Sequence, residues 1–140
     1  MILADEAATA RLGRAIAAGL RAGEAVCLSG PLGAGKSTLA RALVRALTTP
    51  DEEVPSPTFT LVQSYDSPSG PVHHFDLWRL DGPSALDELG WDEMARDIVL
   101  VEWPDRLGPL KPQDALTILL DHTSHEARVA TLTGWPGRLS

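Results

Sequence analysis

The sequence predicts an α/β fold, a mixed β-sheet flanked by helices and carrying an antiparallel hairpin. Leu12, Ile16 and Leu20 stand four residues apart with alanines among them, the spacing of one apolar helical stripe. Ala25–Ser29 and Ile98–Glu102 are short apolar runs of strand length. Two further strand-like runs, Thr58–Tyr65 and Val72–Trp78, are separated by Asp66-Ser-Pro-Ser-Gly70, a turn composition that makes them a hairpin.

The elements follow in order. A helix covers Asp5 to Leu20 and is ended by Gly23; Ala25–Ser29 is the first buried strand. Ser37–Leu47 is a helix with Leu39, Leu43 and Leu47 on one face. Thr48 to Pro57 holds Pro50, Pro55, Pro57 and a run of acids, so it is a loop. After the hairpin, Pro83–Leu89 is a short helix, with Asp81 or Gly82 before it and Gly90 after it. Ile98–Glu102 is a second buried strand, and Ala115–Asp121 and Ala127–Thr133 are the last two. A chain of 140 residues suits a single domain, 1–140, around one core.

The formal charge is −7, from 12 basic and 19 acidic residues, so phosphate backbones repel the chain; no direct grip on DNA or RNA is expected. No apolar run is long enough for a membrane span, and the first residues lack the pattern of a signal peptide. Cys27 is the only cysteine and lies in an apolar run, as a buried structural thiol does. A cytoplasmic protein is expected. Only Lys36 and Lys111 are lysines; the scattered arginines read as compositional bias.

Gly30-Pro-Leu-Gly-Ala-Gly35-Lys36-Ser37 matches G-x-x-x-x-G-K-S, with a buried strand before it and a helix after it. That is the phosphate-binding loop of a P-loop NTPase-like sheet. Its glycines let backbone N–H groups turn inward toward phosphates, and the helix N-terminus adds a favourable field. Gly33, Ala34, Gly35, Lys36, Ser37 and Thr38 are therefore candidate nucleotide-binding residues. The Lys36 ammonium reaches the terminal phosphates, and the Ser37 hydroxyl suits Mg²⁺.

Such a loop needs an acid at the tip of a neighbouring strand to hold the metal. Ile98-Val-Leu-Val-Glu102 supplies it, with Glu where Asp is usual. In His73-His-Phe-Asp-Leu-Trp-Arg79, alternation points His74, Asp76 and Trp78 one way and His73, Phe75, Leu77 and Arg79 the other. Asp76 can orient or deprotonate the attacking water, or hold the metal through water. The two histidines face opposite sides, make a poor metal pair and are taken as structural. Thr58, in the proline-stiffened Ser56-Pro-Thr-Phe-Thr60, is a candidate sensor of the γ-phosphate. The chain has no Asn and no lysine in T-K-x-D, the usual guanine-reading motif, which favours ATP over GTP.

Four segments together resemble the TsaE family of bacterial ATPases in tRNA threonylcarbamoyladenosine (t6A) biosynthesis. They are Gly30–Thr38, Ser56–Tyr65, His74–Leu80 and Val101-Glu-Trp-Pro-Asp-Arg106, and the resemblance extends over nearly the whole chain. It implies a Mg²⁺-dependent ATPase, weak alone and stimulated by its partners. It would bind ATP and ADP, join the TsaB–TsaD pair, which modifies the adenosine after the anticodon, and meet tRNA only through that complex. It also implies Lys36 at phosphate, Ser37 and Glu102 at Mg²⁺, Asp76 near the γ-phosphate and Thr58 in a switch loop. Trp103 would shape the site or the partner surface, and Asp5 and its neighbours would meet adenine. Three positions depart from the family pattern: Pro31 replaces an acidic residue, Ser37 a Thr, and Trp78 a Tyr. The competing readings are a P-loop small-molecule or nucleotide kinase and a nucleotide-gated binding protein. The kinase reading lacks an arginine-rich lid, because Arg106, Arg128 and Arg138 are widely spaced.

Overall fold

The computed structural model describes residues 1–31, 33–55, 57, 60–80, 82, 84–123 and 127–135. Its elements are β1 (Ile2–Leu3), α1 (Glu6–Gly19), β2 (Ala25–Ser29), α2 (Lys36–Leu47), β3 (Val62–Tyr65), β4 (Val72–Asp76), α3 (Ala85–Leu89), α4 (Trp91–Met94), β5 (Ile98–Glu102), a 3₁₀ segment (Pro104–Leu110), β6 (Leu116–His122) and β7 (Arg128–Thr133). The strands form a seven-stranded sheet in the order β1-β7-β6-β2-β5-β4-β3. β6, β2, β5 and β4 run parallel in the middle, and antiparallel partners close both sides.

Strand alternation divides the core between the two faces. Val26, Leu28, Ile98 and Leu100 pack with Leu12, Ile16, Leu39 and Leu43, under α1 and α2. Ala25, Cys27, Val99 and Val101 face the other way, against Phe75, Leu86, Trp91 and Leu107. Because both faces are covered, β2 and β5 read as continuous apolar runs rather than alternating ones. α1 and α2 lie so close that a Cβ on Gly13 would stand 2.8 Å from the Ala42 Cβ. The second face is covered by short pieces, with the Phe75 and Trp91 rings edge to face at 5.1 Å.

Burial pushes the Cys27 thiol up to about 11, with Lys111 opposing weakly. The thiol is therefore protonated at neutral pH and sealed in the core. Native protein should resist alkylation by iodoacetamide at pH 8 while denatured protein is labelled promptly; equal labelling rates would mean that the core opens freely there.

Both hairpin strands are shorter than the sequence predicts. Of the residues expected to open the first, Thr58 and Phe59 lie outside the described residues. Leu61 takes a left-handed φ of 68°, and its N–H donates to the Pro57 carbonyl at 2.7 Å, so a turn leads into the strand; the Leu61 carbonyl already accepts the Asp76 N–H at 2.9 Å, the end bond of the ladder. β4 ends at Asp76 because the Asp76 carboxylate accepts the Trp78 N–H at 3.1 Å, a local turn bond that competes with the sheet. The helix expected from Pro83 opens at Ala85 and closes at Gly90 as expected, with Gly90 left-handed at φ 83°. β1, α4 and the 3₁₀ segment have no counterpart among the predicted elements.

His73 ties the edge of the hairpin down. Its ring nitrogens bond the Ser64 hydroxyl at 2.7 Å and the Asp97 carboxylate at 2.8 Å. No helix among the described residues is long and apolar enough to cross a membrane.

Candidate functional site

The C-terminal ends of β2, β4 and β5 deliver the chemistry to one place, as open parallel sheets do. After β2 the chain turns through Gly30, whose φ of 135° suits glycine. Any Cβ there would collide with the Leu120 carbonyl, so the turn needs the missing side chain as well. Gly35, left-handed at φ 100°, precedes the first residue of α2, Lys36. On the neighbouring strands, Glu102 pairs in register with Leu28 on one side and Asp76 on the other. Its backbone is fixed from both sides: the Leu77 N–H donates to the Glu102 carbonyl at 3.2 Å, and the Trp103 N–H donates to that of Leu28 at 3.3 Å.

These residues line a cleft of about 390 Å³ formed by Gly33, Gly35, Lys36, Ser37 and Thr38 with Asp76, Trp78, Glu102, Trp103 and Arg128. Lys36 is buried, and its ammonium donates to the carbonyls of Gly30 and Pro31 (3.0 Å to the latter). It also lies 4.4 Å from the centre of the Trp103 ring, a cation–π contact. Desolvation lowers the Lys36 pKa from its ordinary value, opposed by the nearby carboxylates of Glu102 and Asp76. The Ser37 hydroxyl donates to Glu102 Oε1 at 3.3 Å, and His74 Nε2 meets Glu102 Oε2 at 2.7 Å. His74 and Glu102 are each only 2% exposed, so the carboxylate reaches the cleft from inside the protein.

Trp103 itself sits at φ 60°, a left-handed conformation uncommon for a bulky residue. That turn swings its ring over Lys36 and against Trp78, with ring centres 4.4 Å apart. Trp78 is 41% exposed and stands at the mouth of the cleft.

The structure thus brings Gly33, Gly35, Lys36, Ser37, Thr38, Asp76 and Glu102 together. Ala34 lies beneath the loop, fully buried, with its N–H donating to the Pro31 carbonyl at 3.2 Å. Thr58 is outside the described residues. Asp5 is not brought to the cleft: it caps α1, its carboxylate accepting the Ala8 N–H at 2.9 Å. Its neighbour Glu6 lines a second cleft of about 340 Å³ between α1 and α2, with Ala10, Arg14, Arg41 and Ala42. Thr38 lines both clefts.

Two site residues escaped the sequence reading. Arg128, taken there as one of the scattered arginines, opens β7 and lies over the loop, its guanidinium donating to the Gly33 carbonyl at 3.4 Å. Nothing local marks it, since it arrives through the β6–β7 pairing. The alternation that puts His74 on the side of Asp76 also turns it toward the site, where its ring meets Glu102, so its place is more than structural.

A family model described as threonylcarbamoyl adenosine biosynthesis protein TsaE matches residues 3–130. Among curated proteins named tRNA threonylcarbamoyladenosine biosynthesis protein TsaE, that of Nostoc sp. is 37% identical over 138 residues, covering 95% of this chain and 84% of its own. That of Aquifex aeolicus is 36% identical over 132 residues, covering 92% and 93% respectively. Among solved structures, that of Bacillus subtilis YdiB superposes with a TM-score of 0.78 at 26% identity, covering 99% of this chain and 86% of that one.

Proposed function

The chain belongs to the TsaE family, and on that premise we propose that it is a Mg²⁺-dependent ATPase serving tRNA threonylcarbamoyladenosine modification. One observation carries the reading. The Lys36 ammonium, the Ser37 hydroxyl and the Asp76 and Glu102 carboxylates converge on a single cleft at the end of the parallel strands. A cation-lined loop suits a polyphosphate, and a hydroxyl beside a carboxylate suits a hard divalent cation.

The donor set fits Mg²⁺ in particular. Ser37 Oγ and Glu102 Oε1 are both hard oxygens and face each other across 3.3 Å. Among the described residues no group of His, Cys, Asp and Glu could cage a metal by itself. A Mg²⁺ held by one or two protein oxygens, with phosphate oxygens and water completing its shell, requires no such cage. When bound, the ion supplies charge neutralisation at the terminal phosphates.

The chain's own groups do the rest. Lys36 leaves the carbonyls of Gly30 and Pro31 for the phosphate oxygens, as a compact charge that follows the anion. Arg128, over Gly33, adds a second positive charge beside the loop. Asp76, at the tip of β4, orients the attacking water or accepts its proton. The second cleft, entered past Thr38, takes the adenosine end, with Glu6, the neighbour of Asp5, in its lining.

As in the family resemblance, the work is accessory. The chain joins the TsaB–TsaD pair in the cytoplasm, meets tRNA only through that complex, and resets it by hydrolysing ATP. Phosphate release measured with and without TsaB, TsaD and tRNA tests this reading. Low release alone and strong stimulation by the partners is expected; phosphorylation of a small acceptor without them would make the protein a kinase instead. Asp76→Asn should bind nucleotide normally and hydrolyse it about 100-fold or more slowly, the usual loss for a positioned acid–base group. A single-turnover assay checks this, and an unchanged rate would leave Asp76 a structural role.

A further inference from the structure

We infer that His74 is a positioning residue for the metal-binding carboxylate, fixing which oxygen of Glu102 faces the cleft. The inference rests on the metal role proposed for Glu102. His74 Nε2 and Glu102 Oε2 are 2.7 Å apart, and both side chains are almost wholly buried. A carboxylate only accepts, so the imidazole carries its proton on Nε2 and donates it. His74 Nδ1 has no hydrogen-bond partner among the described residues, which leaves the contact with Glu102 as the ring's polar anchor. With Oε2 held, Oε1 is the oxygen left turned to Ser37, at 3.3 Å.

The strand register makes this possible. His74 stands opposite Leu100, one pleat before the Asp76–Glu102 pair, so its ring reaches diagonally forward to the end of β5. Without that donor, a long flexible glutamate would sample several rotamers, and its inner oxygen would be buried without a partner. Partners of this kind orient metal ligands, and losing one typically weakens metal affinity by roughly 10- to 100-fold. The role is distinct from that of His73, which bonds Ser64 and Asp97 on the other side of the strand.

Side-chain reach provides the test. A Gln amide nitrogen lies as many bonds from Cβ as His Nε2 does, whereas an Asn nitrogen falls one bond short. The quantity to measure is the ratio of ADP affinities with Mg²⁺ and with EDTA, by calorimetry on the full chain. His74→Asn is expected to cut that ratio by roughly 10- to 100-fold, leaving ADP affinity in EDTA unchanged, and His74→Gln to restore most of it. A folded His74→Asn variant with the wild-type ratio would overturn the inference. Glu102→Gln separates the two levels of the argument. If it collapses the ratio and His74→Asn does not, only the positioning role falls. If neither changes it, the metal role of Glu102 falls first. Nitrogen NMR of the His74 ring in the unaltered protein needs no variant: a proton on Nε2 is expected, and a bare Nε2 would contradict the inference.

Discussion

Lys36→Ala is expected to weaken ATP and ADP binding by about 100-fold or more, to below detection in a standard titration. A charge-assisted hydrogen bond is worth about 1.5–3 kcal/mol, and each 1.4 kcal/mol is about tenfold in affinity. Lys36 adds more than one such bond, because its ammonium has three donors and already stands within the loop, held by the carbonyls of Gly30 and Pro31. In a chain of net charge −7, with Asp76 and Glu102 across the cleft, no excess of positive charge compensates. Fluorescence of the Trp78–Trp103 pair at the cleft is a convenient reporter. Affinity within a few fold of wild type would remove Lys36 from phosphate contact. The same lysine gives a pH dependence. Burial lowers its pKa below the ordinary 10.5, and only the charged form grips phosphate. Affinity should therefore fall as pH rises on the alkaline side, beginning earlier than for an exposed lysine.

Glu102→Ala is expected to leave nucleotide binding in EDTA largely intact and to cut Mg²⁺-dependent hydrolysis about 100- to 1000-fold, the scale of losing one preorganised electrostatic contact at a reacting centre. The variant also strands the buried His74 Nε2–H, which costs about 1–3 kcal/mol of stability. Glu102→Gln is the cleaner partner, because its amide oxygen can still accept from His74 while the charge is gone. Both should show the rate loss under single-turnover conditions; normal turnover in either would take Glu102 out of the metal site.

The legibility of this fold followed the length and burial of each segment. β2 and β5 match their predicted bounds, since a strand buried on both faces must be apolar throughout and ends where a polar residue meets solvent or a ligand. The loop between β2 and α2 was legible because its G-x-x-x-x-G-K-S pattern sets glycines where the backbone takes positive φ, at Gly30, Gly33 and Gly35, between an apolar strand and a helix. β1 was not: two residues, Ile2 and Leu3, carry no period, and only their pairing with Val129 and Arg128 makes them a strand. The turn at Leu61 and the early end of β4 were hidden for a related reason. Each is decided by a local hydrogen bond, Leu61 N–H to Pro57 and Trp78 N–H to Asp76, that competes with the ladder in sequences otherwise suited to strands. Within the site, Lys36, Ser37, Asp76 and Glu102 were legible from motif and alternation. Arg128 and His74 were not, because their placement depends on which strand lies beside which.

A crystal grown with Mn²⁺ and a non-hydrolysable ATP analogue, with the ion located by its anomalous signal, tests the central claim most directly. The expected result is a polyphosphate wrapped by Gly30–Ser37 and an anomalous peak touching the Ser37 hydroxyl on the side faced by Glu102. Phosphates bound away from that loop, or a manganese ion held by other residues with Glu102 turned aside, would contradict the account.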